Sequence, residues 1–231
     1  MSARYAVFFA PDRLSPWRAF GAHWLGRDEH DSALLAQPLL GSVSPEQFAR
    51  LTQEPRHYGF HATLKAPFRL AHGVKESAVV AQLETLAHQF EPILLGPLRA
   101  ATLGSFVALV PERNPAGLQA LAAECVTQLD ALRAPLSDEE LERRRAAPLD
   151  LREGELLARY GYPYVMERFR LHFTLTGPAT PELTQRVTDA VAPQLARLNA
   201  DAPLWLDRLC LFVERVPGAP FHRLIDLRLQ P

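Results

Sequence analysis

Apolar residues fall along this chain in short runs that switch between the strand and helix periods, and Pro or Gly closes most of them. Arg4 to Ala10, rich in Val and Phe and stopped by Pro11, predicts a buried first strand. Ser15-Pro16 and Ser44-Pro45 each set a hydroxyl acceptor before a proline at the first helical position, which predicts helices to about Leu25 and Leu51. Tyr58 to Lys65, stopped by Pro67, predicts the next strand, and the spacing of Val79, Leu83, Leu86 and Phe90 predicts a helix over Val74 to Phe90. Strands are expected at Ile93 to Leu95 and Leu98 to Leu103.

The same order of elements then recurs. Ser105 to Val110 reads as a strand, Pro115 to Arg133 and Ser137 to Arg145 as helices, and Phe169 to Thr176 as a strand before Gly177-Pro178. Pro181 to Leu198 reads as a helix, and Leu204 to Val216 and Phe221 to Leu229 as the last strands. The repetition predicts an α+β fold built from a duplicated unit. We expect one domain over 1–231 with two pseudo-symmetric lobes, roughly 1–104 and 105–231, whose terminal strands are free to exchange.

Composition narrows the class. A hydrophobic content of 48% suffices for a packed core, and 25 Lys plus Arg against 26 Asp plus Glu leave no positive field of the kind that gathers polynucleotides. Long nucleic acid is therefore disfavoured as a partner, and a small molecule preferred. Cys125 and Cys210 lie far apart among apolar neighbours and read as reduced core thiols, which fits a cytoplasmic location. The apolar run near the N-terminus is too short for a leader, and no stretch approaches the roughly 18 apolar residues that span a bilayer, so no membrane partner is expected. The chain is expected to be a monomer.

Two strands carry the chemistry. Tyr-Gly-Phe-His-Ala-Thr-Leu-Lys starts at Tyr58 and Phe-Arg-Leu-His-Phe-Thr-Leu-Thr-Gly at Phe169, so His-Xaa-Thr-Leu occurs twice at equivalent points of the repeat. Side chains alternate across a strand, which puts His61, Thr63 and Lys65 on one face and Arg170, His172, Thr174 and Thr176 on one face of the other. Proton carriers, hydroxyl donors and a cation together suit phosphate chemistry. His23, His30, His72, His88 and His222 lack such a setting and read as structural or surface residues.

These motifs resemble the 2H phosphoesterase superfamily, named for two His-Xaa-Thr/Ser motifs on facing strands. Tyr58 to Phe68 and Tyr160 to Gly177 are more closely similar to a bacterial branch of phosphonate metabolism proteins encoded beside carbon-phosphorus lyase genes, and the resemblance extends over the whole chain. It implies a bilobal fold with two mostly antiparallel sheets facing a central cleft, helices outside, catalytic His61 and His172, and Thr63 and Thr174 on phosphate oxygens. It also implies a metal-independent phosphoric diester hydrolase without cofactor, acting on a small, cyclic phosphodiester such as a ribosyl or nucleotide cyclic phosphate. Lys65 and Arg170 are expected to neutralise charge on the phosphate.

Specificity is expected outside the motifs. The segment Arg152 to Arg168 is read as a loop, with Arg159, Tyr162 and Tyr164, together with Tyr58, as candidate cleft residues, while Arg143 to Arg145 reads as an exposed helix end. Arg56 and His57, just before the first motif, suit a structural role as readily as the cleft. A metal hydrolase is disfavoured by the lack of His-Glu-Xaa-Xaa-His and of a carboxylate beside either motif histidine, and a serine enzyme by the lack of Gly-Xaa-Ser-Xaa-Gly. RNA 2',5' ligation or RNA end processing is the alternative chemistry. A non-catalytic nucleotide- or RNA-binding module is the alternative of another class.

Overall fold

The computed structural model describes residues 3–30, 32–145 and 148–230; Met1 and Ser2, in the stretch read for a leader, lie outside the described residues. In chain order the elements are β1 (Arg4–Phe9), α1 (Pro16–Leu25), α2 (Pro45–Leu51), α3 (Gln53–Arg56), β2 (Ala62–Phe68), α4 (Glu76–Ala87), β3 (Ile93–Leu94), β4 (Leu98–Leu103) and β5 (Phe106–Pro111). They continue with α5 (Leu118–Thr127), α6 (Asp138–Arg145), α7 (Leu151–Tyr160), β6 (Phe173–Thr174), α8 (Pro181–Asp201), β7 (Trp205–Leu206), β8 (Arg208–Glu214) and β9 (His222–Arg228). The α+β class expected from the pattern is what forms: an antiparallel seven-stranded sheet in the order β4-β5-β6-β2-β1-β8-β9, a small β3-β7 sheet, and packed helices. No helix among the described residues is long and apolar enough to cross a membrane.

Local chemistry explains the starts of the helices. Ser15 accepts from the Trp17 amide and Ser44 from that of Gln47, each before a proline that has no amide proton to satisfy. One face of the large sheet holds the main core, where Phe9, Phe60 and Phe173 meet under α1; the Phe60 and Phe173 rings stack at 5.0 Å. Each such ring contributes roughly 1.5–3 kcal/mol by leaving water. Gly21 in α1 lets the helix lie directly on Phe60, because a Cβ there would fall 1.9 Å from the ring. Cys125 and Cys210 are free and buried.

The opposite face of β1 and β8 carries a smaller cluster, Ala6, Phe8, Cys210 and Phe212 with Phe221, against which Tyr58 packs. On this side the sheet is joined in its middle by one paired position, Ala62 with Phe173. The motif histidines stand immediately before that position in both strands.

Three expectations change. The strand expected over Tyr58 to Lys65 starts only at Ala62 and runs on through Pro67 to Phe68, because register slips against β1 give the proline a place where no ladder bond is needed. The strand expected over Phe169 to Thr176 shrinks to Phe173–Thr174, preceded by a 3-10 turn at Met166–Arg168. The loop expected over Arg152 to Arg168 is helix α7 in its first half, begun by a capping box in which Asp150 accepts from the Glu153 amide and Glu153 from that of Asp150.

Candidate functional site

A cleft of about 380 Å³ opens over the sheet where β6 meets β2, and His61, Thr63, His172 and Thr174 all line it. The antiparallel pairing of Ala62 with Phe173 sets His61 across from Thr174 and Thr63 across from His172. Alternation then turns all four side chains to one face, at the roughly 4.5–5.5 Å spacing of cross-strand neighbours. A volume of this size suits a small molecule.

His61 is fixed by the segment before β2. Arg27 donates to the carbonyls of Arg56 and His57 at 3.0 and 3.2 Å, and the Phe221 amide donates to His57 O at 2.8 Å. Gly59 then turns the chain at φ +84°, where a Cβ would meet Glu29 Cβ at 2.8 Å. Its carbonyl accepts from His61 Nδ1 at 2.9 Å, and the imidazole lies over Phe8 with centroids 3.9 Å apart. His61 Nε2 lies 3.3 Å from Thr63 Oγ1.

His172 is held likewise. Its Nδ1 donates to Arg170 O at 2.9 Å, and Phe106 packs beside the ring at 5.9 Å. Gln119 anchors the preceding 3-10 turn by donating to Met166 O. A carbonyl can only accept, so Nδ1 carries the proton in both rings and Nε2 is left for a ligand.

Burial keeps both imidazoles neutral. His61 is pushed down to about 4, mainly by desolvation, against the bond it donates to Gly59 O and with a further lowering from His172. His172 is lowered as well, by desolvation. The mutual repulsion favours a single proton shared out to one ring at a time.

The cations differ from expectation. Lys65 is 3% exposed and outside the cleft: its Nζ donates to Val126 O of α5 at 3.0 Å. The cause is a slip in register between Phe8–Thr63 and Val7–Lys65, which buries Leu64 and Lys65 in succession and breaks the alternation that put Lys65 beside Thr63. Burial lowers its ammonium to about 8. Arg170 is exposed and lines another hollow with Arg99 and Arg113, meeting the site through its carbonyl and through the repulsion of its charge on His172. Arg159 and Tyr164 are exposed and outside the cleft, and Arg159 lies over the Tyr160 ring.

Tyr58 and Tyr162 do line it, and burial raises both phenols above their ordinary value. Two arginines not singled out by the pattern complete the wall, Arg4 and Arg144. Arg4 shares the β1 face of Phe8 at two strand periods, so alternation contained that signal. Arg144, read as part of an exposed helix end, reaches the carbonyls of Gly161 and Pro67 instead. Arg56 is structural, donating to Leu25 O and Gln37 Oε1. His57 sits 3.5 Å from Glu214, the carboxylate that holds Arg4. Among the described residues no group of three His, Cys, Asp or Glu is placed to hold a metal ion.

Comparison with known proteins adds two findings. The chain is 38% identical over 221 residues to a ribose 1,5-bisphosphate phosphokinase PhnN of Janthinobacterium sp. (strain Marseille), covering 94% of this chain and 49% of that protein. It is 40% identical over 223 residues to the protein of that name from Laribacter hongkongensis (strain HLHK9), covering 95% of this chain and 50% of the relative. The chain thus spans about half the length of the curated relatives it matches. Their name is that of a transferase, and it overturns the expectation of a phosphoric diester hydrolase. The second finding is a family model, described as protein of unknown function (DUF1045), that matches residues 63–222, from the first motif threonine to the last strand. With most of its length matched, including both threonines and the second histidine, this chain belongs to the DUF1045 family.

Proposed function

We propose that the cleft binds a ribose-type phosphate ester of phosphonate metabolism, and that His61 and His172 move protons at its phosphorus in the manner of the 2H proteins the motifs resemble. The observation that carries this reading is the cross-strand quartet, in which each histidine stands opposite the other motif's threonine in one cleft. The ligand class is taken from the relatives, which are named for a ribose bisphosphate, and their designation PhnN agrees with the phosphonate branch that the sequence resembles.

In this reading an incoming hydroxyl oxygen bonds to phosphorus as its proton passes to Nε2 of His61, which burial keeps neutral. The opposite P–O bond breaks, and the leaving oxygen takes the proton held by His172. Thr63 and Thr174 donate to the nonbridging oxygens. A phosphate anion between the rings raises both imidazoles, which loads His172 only once the ligand is seated.

The test is phosphorus NMR of the full chain with a panel of ribose phosphate esters, in the presence of chelator, for the parent and for H61A and H172A. Conversion by the parent and its loss in both variants supports the reading. Equal conversion by all three defeats it, and the acceptor oxygen is read from the product.

A further inference from the structure

We propose that the end of the cleft away from the histidines is an anion subsite built on Arg144, so that the ligand is a sugar carrying two anionic groups, one gripped at each end. This rests on the reading above, in which the histidine end takes a phosphate.

Two strands measure the distance between the ends. Along β2, Thr63 and Pro67 are four residues apart, and Arg144 Nη2 donates to Pro67 O at 3.4 Å. Along β1, Phe8 under His61 and Arg4 in the same wall are again four residues apart. Four residues of strand span about 13 Å, somewhat less across a bulge. A single phosphate reaches only donors within about 3 Å of its oxygens, so Arg144 and the two threonines cannot serve the same group. Arg144, Thr63 and Thr174 all line the one cleft, which therefore extends over both ends.

Charge accounting separates the two arginines. Arg4 has its counterion, since Glu214 accepts from it at 2.8 Å. Arg144 donates to the carbonyls of Gly161 and Pro67 and lies over the Tyr162 ring at 5.3 Å, and among the described residues no carboxylate is ion-paired with it. Glu140, one turn earlier in α6, is engaged by Arg69. Glu54, the carboxylate in the cleft wall, packs beside Gly177 at the threonine end. Desolvation lowers the Arg144 guanidinium from its ordinary value. A half-buried cation whose neighbouring carboxylate, Glu140, is already engaged by Arg69 is incompletely compensated, and an anion arriving with the ligand relieves that cost. The planar fork of Arg144 also suits two oxygens of a phosphate.

The experiment is calorimetric titration of ribose 1,5-bisphosphate and ribose 5-phosphate into the parent, R144Q and R144K, with melting curves to verify the fold. The parent should bind the bisphosphate about 10- to 100-fold tighter than the monophosphate, the range expected of one charge-assisted pair. R144Q should remove that advantage, and R144K, which keeps the charge but not the fork, should keep part of it. A bisphosphate affinity for R144Q within twofold of the parent, or a parent without preference for the bisphosphate, overturns the subsite. If R144Q does not fold, R144K alone decides: parent-like affinity and salt dependence overturn the proposal, and a weakened bisphosphate grip supports it. Unchanged bisphosphate binding by T63V and H172A would instead defeat the histidine-end reading while leaving the arginine result standing.

Discussion

His61 and His172 are fixed by the same bond: each donates Nδ1–H to the carbonyl of the residue two positions before it, Gly59 and Arg170, at 2.9 Å. The two rings therefore share one tautomer that leaves Nε2 free of the backbone, and Nε2 of His61 lies 3.3 Å from the Thr63 hydroxyl. Repetition of the motif in sequence becomes repetition of a geometry, and that geometry yields measurable expectations.

Replacing either histidine by alanine should lower turnover of the ribose phosphate esters about 10²- to 10⁴-fold, the usual worth of one positioned proton transfer. Far-UV circular dichroism should not change, since both rings face the cleft rather than the main core. A parent-like rate in either variant would sink the assigned roles.

Stability should carry the signature of His61. Its folded value near 4 lies below the unfolded value of about 6.5, so between the two the unfolded chain binds the extra proton. Stability is then full above pH 6.5 and falls as the pH drops toward 4, by roughly 1–3 kcal/mol after allowance for water in the cleft. Urea titrations at pH 7 and pH 5 should show a smaller drop for H61N than for the parent.

Gly59 should tolerate no side chain. Alanine at φ +84° is strained, and its Cβ would press on Glu29, which is fully buried and 3.5 Å from Arg223. We expect G59A to lose roughly 2–4 kcal/mol in chemical denaturation, from backbone strain plus overpacking. Turnover should fall too, because Gly59 O orients His61.

Lys65 separates a phosphate ligand from a buried amine. Because burial already holds its ammonium down to about 8, K65M removes a desolvated charge and the bond to Val126 O together, and should leave stability within about 1 kcal/mol. Ligand affinity should match the parent. A tenfold loss of phosphate-ester binding in K65M would return Lys65 to the cleft.

Much of this molecule was legible along the chain. Ser15-Pro16 and Ser44-Pro45 set two helix starts, continuous apolar runs marked β1 and β8, and His-Xaa-Thr repeated at matching points named the quartet. These features are local, because capping, proline geometry and strand period act within a few residues. The capping box Asp150 to Glu153 was equally local, and it marked α7 where tyrosines and arginines suggested a loop.

Only the tertiary structure decided which cations reach the ligand. Whether Lys65 shares a face with Thr63 depends on a register slip against β1, and a slip is a property of two strands rather than of either sequence. Arg144 enters the cleft because α6 packs its last turn by Pro67 and Gly161, residues distant in the chain. Periodicity fixes the direction of a side chain only while the ladder stays regular. Where a bulge or a docked helix intervenes, long-range packing chooses the face.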